Sequence, residues 1–423
     1  MKHLLLALLA THTLLAPAPR TDSDNTEADT SPIRVGVTLS LSGKFEQESK
    51  EVRAGYDLWE KMINAAGGIR IKGIRRKVTL IYADDQSSPE LSAEVTEKNL
   101  IRFNKVQFLL SSYASQLTMG IARVARKYKI PLIASVASSD ELFKSSSRYV
   151  FGVHPPASRE LESTLATLQA AGAKTVTLMY TDDPYAQEIA KSVPRLCKEH
   201  GLTLLEEISF PAFSPTVEQD PLKQIEAKNL FKKLLSAIEQ NPPDVLIGAG
   251  HYYDSERFVW ALQELSFNPR ALVLTTGPSL PLFVKRQGAA ANGIICPVAW
   301  NPALPYHDDF IGSAQDYSER FEDLYGYKPT FIAATATAAG LVLQRALEQA
   351  GTTETTKVLA KLRTFDQETF FGRIKFDEAG KNIGTPMAVL QIQNGKKVLV
   401  GKFKAANQKL IYPKPAWPKQ APD

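Results

Sequence analysis

Cysteine is scarce: Cys197 and Cys296 are the only two in 423 residues. That excludes a disulfide framework, and nothing in the sequence brings the two together. The six histidines, at 3, 12, 154, 200, 251 and 307, show no HExxH spacing, and no CxxC pair exists, so no metal site is expected. Blocks of five or six like charges are missing, and the formal net charge is +5, from 50 Lys and Arg against 45 Asp and Glu. So mild and diffuse a charge argues against nucleic acid as a partner. No segment reaches 18 uninterrupted apolar residues after the N-terminus; the most apolar, 331–343, is rich in alanine and threonine and reads as a buried helix. There is no GxSxG elbow and no Walker A loop. Gly248, Ala249 and Gly250 end a strand before a helix, as in a dinucleotide fold, but Tyr253 stands where the third glycine would be and would block close helix–strand packing. The chain therefore reads as no enzyme, and no cofactor is expected.

The remaining composition, 44% hydrophobic and 22% charged, is that of an ordinary globular protein. Its first residues read as an export signal. Met1, Lys2 and His3 form a basic start, residues 4–16 an apolar stretch too short to span a bilayer, and Ala16 and Ala18 supply small residues for cleavage. We expect a signal peptide over 1–18 and a polar, acidic, disordered lead-in over 19–31. No cysteine lies near the signal, so no lipid anchor is expected. The expectation is a soluble, exported, periplasmic monomer.

Strand and helix patterns then alternate with regularity. IRVGVTLSL, KVTLIYADD, VQFLLSS and IPLIASV read as strands separated by helices, and the alternation restarts after Pro155 and Pro156 with TVTLMY, TLLEEISF, DVLIGAG and ALVLTTG. Such βαβ repetition means parallel sheets covered by helices on both faces. Two successive sets predict two doubly wound lobes: 32–155 with 280–370, and 156–279 with 371–423.

Open sheets of this kind bind ligands beyond the carboxyl ends of their strands. The residues found there are Tyr113, Ala114 and Ser115; Val136, Ala137, Ser138 and Ser139; Thr181, Asp182, Asp183 and Tyr185; and His251, Tyr252, Tyr253 and Asp254. Ser115 opens a helix, where free backbone N–H groups and the helix dipole favour an anion. Ser115 and Ser138 would hold a carboxylate, Asp254 an ammonium, and the tyrosines would cover a side chain. That set fits a zwitterion such as an amino acid.

Over about 33–403 the chain resembles substrate-binding proteins of ABC importers, of the branched-chain amino-acid (Leu/Ile/Val-binding) type. The resemblance rests on LSLSGKFEQES, MINAAGGIRIKG, ADDQSSPELSAE, IPLIASVASSDELF, YVFGVHPPAS, YTDDPYAQEIA, FFGRIKFDEAGK and the YPKPAWP tail, in that order. It implies a type I periplasmic binding fold whose lobes, joined by three crossings near 154–157, 277–281 and 367–373, close on a ligand by hinge bending. It places the carboxylate-holding serine on Ser115 and the small-residue strand end on Val136, Ala137 and Ser138. The cleft tyrosine falls on Tyr185, and the ammonium-binding acid on Asp254, one carbon shorter than the usual glutamate. Glu48 falls near a side-chain pocket position where an aromatic is common, which points to a polar or basic ligand side chain. Tyr113 and Tyr252 complete the candidate set. The implied partners are a small amino-acid-like or amide-like ligand and the membrane subunits of an ABC permease; a ligand sensor of the same fold is the second reading. The segment 212–240 is longer than the family's usual run and has no assigned role.

Overall fold

The computed structural model describes residues 29–418, apart from 147, 214–215, 402–405 and 407. The expected signal peptide, and most of the lead-in, lie outside the described residues. Among these, no helix is long and apolar enough to cross a membrane.

The first lobe opens with β1 (Ile33–Leu39), whose alternate residues are all buried, and α1 (Glu46–Ala65). Gly67 and Gly68 end that helix with φ of 99° and 108°, a backbone that only glycine adopts readily, and the Gly68 N–H closes back on Ile63 O at 2.8 Å. β2 (Val78–Asp84) follows. Then comes α2 (Pro89–Val95), started by Ser88, whose hydroxyl accepts the Leu91 N–H at 3.3 Å. β3 (Phe108–Leu110), α3 (Ser115–Tyr128), β4 (Leu132–Ala134) and β5 (Val150–Gly152) complete the alternation. The strands run parallel in the order β2-β1-β3-β4-β5.

The second lobe repeats this winding. It comprises α4 (Glu162–Ala170), β6 (Thr175–Thr181), α5 (Pro184–Glu199), β7 (Thr203–Phe210), α6 (Pro221–Glu239), β8 (Val245–Ala249), α7 (Tyr252–Glu264), β9 (Ala271–Leu274), α8 (Pro281–Gln287) and β10 (Ile295–Val298). The parallel order is β7-β6-β8-β9-β10, the same permutation as in the first lobe. The chain then returns to the first lobe. α9 (Ala314–Tyr325), α10 (Phe331–Ala350) and α11 (Thr355–Arg363) follow there, with α10 packed along α1. It crosses back once more, so that β11 (Ala388–Gln393) and β12 (Lys396–Val400) extend the second sheet antiparallel from β10.

The two-lobed parallel α/β architecture is the one expected, but two crossings are displaced. β10 hydrogen-bonds into the second sheet, so 280–298 belong to the second lobe, and the return lies after Val298 rather than near 277–281. The last crossing lies beyond the antiparallel pair Asp366–Thr369 and Gly372–Lys375, which stays with the first lobe, because Trp300 donates to Phe370 O at 2.9 Å and Tyr317 packs on the Phe370 ring at 4.4 Å. An apolar run marks a strand but does not say which sheet receives it. Cys197 on α5 and Cys296 on β10 are both buried free thiols. The tail lies on the second lobe, where Trp417 donates to Phe267 O at 2.8 Å.

Candidate ligand site

In each lobe the strand order reverses between its first and third strands, and the two switch points face each other. A cavity lined by residues of both lobes lies between them.

On the first-lobe side, β3 runs into Ser111, Ser112 and Tyr113 before α3 begins at Ser115. The first helical bond is Thr118 N–H to Ala114 O at 3.0 Å, so the N–H groups of Ser115, Gln116 and Leu117 have no intrahelical acceptor. Ser115 Oγ accepts the N–H groups of Ser138 and Ser139 at 3.2 and 3.1 Å. This fixes the oxygen and leaves its own proton free to donate. Ser138 Oγ is buried with no partner among the described residues. Both serines line the cavity, as do Tyr113 and Val136, with His154 and Phe331 in ring contact at 5.6 Å.

On the second-lobe side the wall holds Glu160, Tyr185, His251 and Thr276. Asp183 caps α5, its Oδ1 accepting the N–H groups of Tyr185 and Ala186 at 2.9 and 3.1 Å, while Oδ2 meets His251 Nε2 at 2.9 Å. Burial opposes ionisation of both, yet their mutual attraction holds Asp183 below and His251 above the ordinary value, as in an ion pair. Across the cleft, His251 Nδ1 lies 3.2 Å from the Tyr113 hydroxyl. Glu160 is 1% exposed, its Oε2 lacks a partner among the described residues, and burial pushes its carboxyl up to about 8.

Five of the residues expected from sequence, Ser115, Val136, Ser138, Tyr113 and Tyr185, line this one cavity. Ala137 is buried between Val136 and Ser138 and is not in the wall. Three others are placed elsewhere. Glu48 is fully buried and bridges the lobes instead, Oε1 accepting the Tyr252 N–H at 2.9 Å, with its carboxyl pushed up to about 7 by burial. The Tyr252 hydroxyl donates to Glu256 at 2.7 Å. Asp254 faces a separate small cavity with Lys44, Phe213 and Glu218. Its Oδ2 accepts the His251 N–H at 3.0 Å and its Oδ1 meets Arg257 at 3.2 Å, while Arg257 also pairs with Glu218. An acid so neutralised is a poor partner for a ligand's ammonium.

Sequence reasoning left out Glu160, His154, Thr276 and Phe331, and placed His251 at a strand end without giving it a role. His251 and Thr276 sit at strand ends, a signal that was visible; Glu160 lies past a 3₁₀ turn after the first crossing, at no strand end. Among the described residues no group of three or more His, Cys, Asp or Glu is arranged to hold a metal.

Two doubly wound lobes with a cavity between their switch points are the architecture of a cleft-type binding protein. The chain belongs to the periplasmic binding protein family, whose model matches residues 32–397. Leu/Ile/Val-binding protein homolog 8 of Brucella abortus is 22% identical over 398 residues, covering 90% of this chain and 93% of that protein. The crystal structure of a leucine binding protein from Thermotoga maritima superposes with a TM-score of 0.72 at 19% identity, covering 87% of this chain and 97% of that one. A solute binding protein of an ABC transporter from R. palustris, solved with benzoate, has the same TM-score at 19% identity over 91% and 98% of the two chains. A branched-chain amino acid transporter substrate binding protein from Streptococcus pneumoniae, solved with isoleucine, is 24% identical over 86% and 97%, with a TM-score of 0.72.

Proposed function

We propose that this protein is an exported, periplasmic solute-binding protein. It captures a small zwitterion, an amino acid, between its lobes and delivers it as a monomer to the membrane subunits of an ABC permease. No bond is made or broken; the family and fold are those of solute-binding proteins rather than enzymes.

The observation that carries this reading is the cradle at the start of α3. A carboxylate there would accept from the Ser115 and Ser138 hydroxyls and from the first-turn amides that have no intrahelical acceptor. These are charge-assisted hydrogen bonds reinforced by the helix dipole. The rings of Tyr113, Tyr185 and Phe331 would cover the rest of the ligand. Hinge closure brings the second-lobe wall onto a ligand held by the first lobe. The relatives add support, being named for leucine, isoleucine and valine or solved with isoleucine or benzoate.

A thermal-shift screen of amino acids, amides and benzoate, followed by calorimetry, tests the reading. A carboxylate-bearing solute is expected to stabilise the protein, and Ser115→Ala to weaken its binding by about 10-fold or more. Unchanged affinity in Ser115→Ala, or no response to any carboxylate, overturns it.

A further inference from the structure

We propose that Glu160, and not Asp254, receives the cationic nitrogen of the ligand, so that the cleft selects small carboxylates bearing an amine. The inference rests on the solute-binding reading above and adds the acid that reading lacks.

Glu160 has what a cation subsite requires. Its side chain is in the wall of the interlobe cavity, it is 1% exposed, and its Oε2 has no partner among the described residues. A buried carboxyl oxygen left unpaired is costly, and a ligand N–H would pair it. No lysine or arginine is among the residues lining the cavity. The groups that face Glu160 are the Tyr185 hydroxyl from α5, Tyr113 from the β3–α3 turn, Cys296 from β10, His154 from the first crossing and His251 from the β8–α7 turn. His251 is committed to Asp183, and burial pushes His154 down to about 4, leaving it uncharged at neutral pH. A cation able to ionise Glu160 at neutral pH must therefore arrive with the ligand.

The competing acids are occupied or out of reach. Asp254 is paired with Arg257 in the neighbouring cavity, where an ammonium would compete with a guanidinium already in contact. Glu48 also keeps one oxygen without a partner, but it is not among the residues lining the main cavity.

Glu160 then works as a coupled proton site. Free, at pH 7, the carboxyl is largely protonated, since burial raises it to about 8. When an ammonium arrives the carboxyl O–H bond breaks, the proton passes to buffer base, and an N–H···O⁻ contact forms.

The test uses the full chain with leucine and its amine-free counterpart 4-methylpentanoate, alongside the other amino acids and benzoate. Wild type should bind an amino acid and release close to one proton on doing so at pH 7, read by calorimetry in phosphate and Tris buffers. Glu160→Gln, which keeps the shape of the side chain, should weaken that amino acid by about 30-fold or more and abolish the proton release, while leaving 4-methylpentanoate or benzoate within a few-fold. Asp254→Asn should keep the proton release. Equal losses of amine-bearing and amine-free acids in Glu160→Gln overturn the assignment, and so does binding by wild type of amine-free acids alone. In that last case the carboxylate-capture reading stands while the Glu160 assignment falls; if wild type binds no carboxylate at all, both fall.

Discussion

Ser138 carries a hydroxyl to which the free protein gives nothing to do. It is 1% exposed and its Oγ has no hydrogen-bond partner among the described residues. The contrast is Tyr56, equally buried, whose hydroxyl contacts both Ser111 O and Ser135 Oγ at 2.9 Å. Removing a hydroxyl that is already unpaired takes away a desolvation cost rather than a bond. Ser138→Ala should leave the ligand-free protein as stable as before or up to about 1 kcal/mol more stable by urea denaturation, yet weaken carboxylate binding about 5- to 10-fold by calorimetry. A structural role would instead lower stability and spare binding. The same comparison explains what was readable beforehand. Ser115, Val136 and Ser138 follow apolar strand runs directly, so the rule that ligands sit at strand ends found them. Glu160 follows a crossing and a short 3₁₀ turn, where no periodicity points inward. Asp254 has a partner that is legible locally, Arg257 one helical turn on, but Glu218, which shares that guanidinium, belongs to a segment with no assigned role.

The elements were legible where their signals are local, and illegible where membership depends on distant packing. Proline takes the first helical position after Ser88 and after Asp183, and a helix starts at each. The strand Ile295–Val298 is buried throughout, and its neighbours β9 and β11 are separated from it by distance along the chain and, for β11, by direction. The longer segment 212–240 now has a structural place. α6 packs on α7 with Phe231 edge-on to Phe258 at 5.0 Å, and Lys44 of the first lobe donates to Phe213 O at 3.1 Å, so this segment forms the wall that covers Asp254. α1 packs along α10 at two glycines. A Cβ on Gly55 would meet Ala333 O at 2.2 Å, and one on Gly340 would meet the Trp59 ring at 2.2 Å. Neither position needs positive φ, so the constraint is contact alone. Gly55→Ala forces two buried backbones apart and should cost about 1–3 kcal/mol in a denaturant titration, despite alanine's better helix propensity. A stability gain would show that the pairing is looser than its geometry implies.

Taken whole, the molecule is two lobes held shut by buried titratable groups. Glu48 of α1 accepts the Tyr252 N–H, Tyr113 meets His251, and the Phe45 ring stands edge-on to His251 at 4.8 Å. Stability should therefore depend on pH with a sign that can be worked out. Burial raises Glu48 from 4.5 to about 7 and Glu160 from 4.5 to about 8. Above pH 4.5 the unfolded chain has shed these protons while the folded chain keeps them, so stability falls as pH rises. The Glu48 contribution is full below its unfolded value and gone once pH passes 7; the Glu160 contribution persists until pH 8. His251, also raised, acts in the same direction above 6.5. His154, pushed down from 6.5 to about 4, opposes them only within that interval, and Asp183, lowered from 3.8, acts only in acid. Lys397 and Lys414, pushed down to about 8, oppose the fall as pH approaches and passes 8. Between pH 6.5 and 8 Glu160 and His251 share the falling slope. The Tm of the ligand-free protein should decline across that interval, and Glu160→Gln should flatten the decline while Glu48→Gln flattens only the part below pH 7. A Glu160→Gln profile as steep as wild type would show that the carboxyl is already ionised in the folded protein. A saturating amine-bearing ligand should flatten the wild-type profile over the same interval, because it ionises Glu160 in the folded state and removes the proton difference that makes the slope.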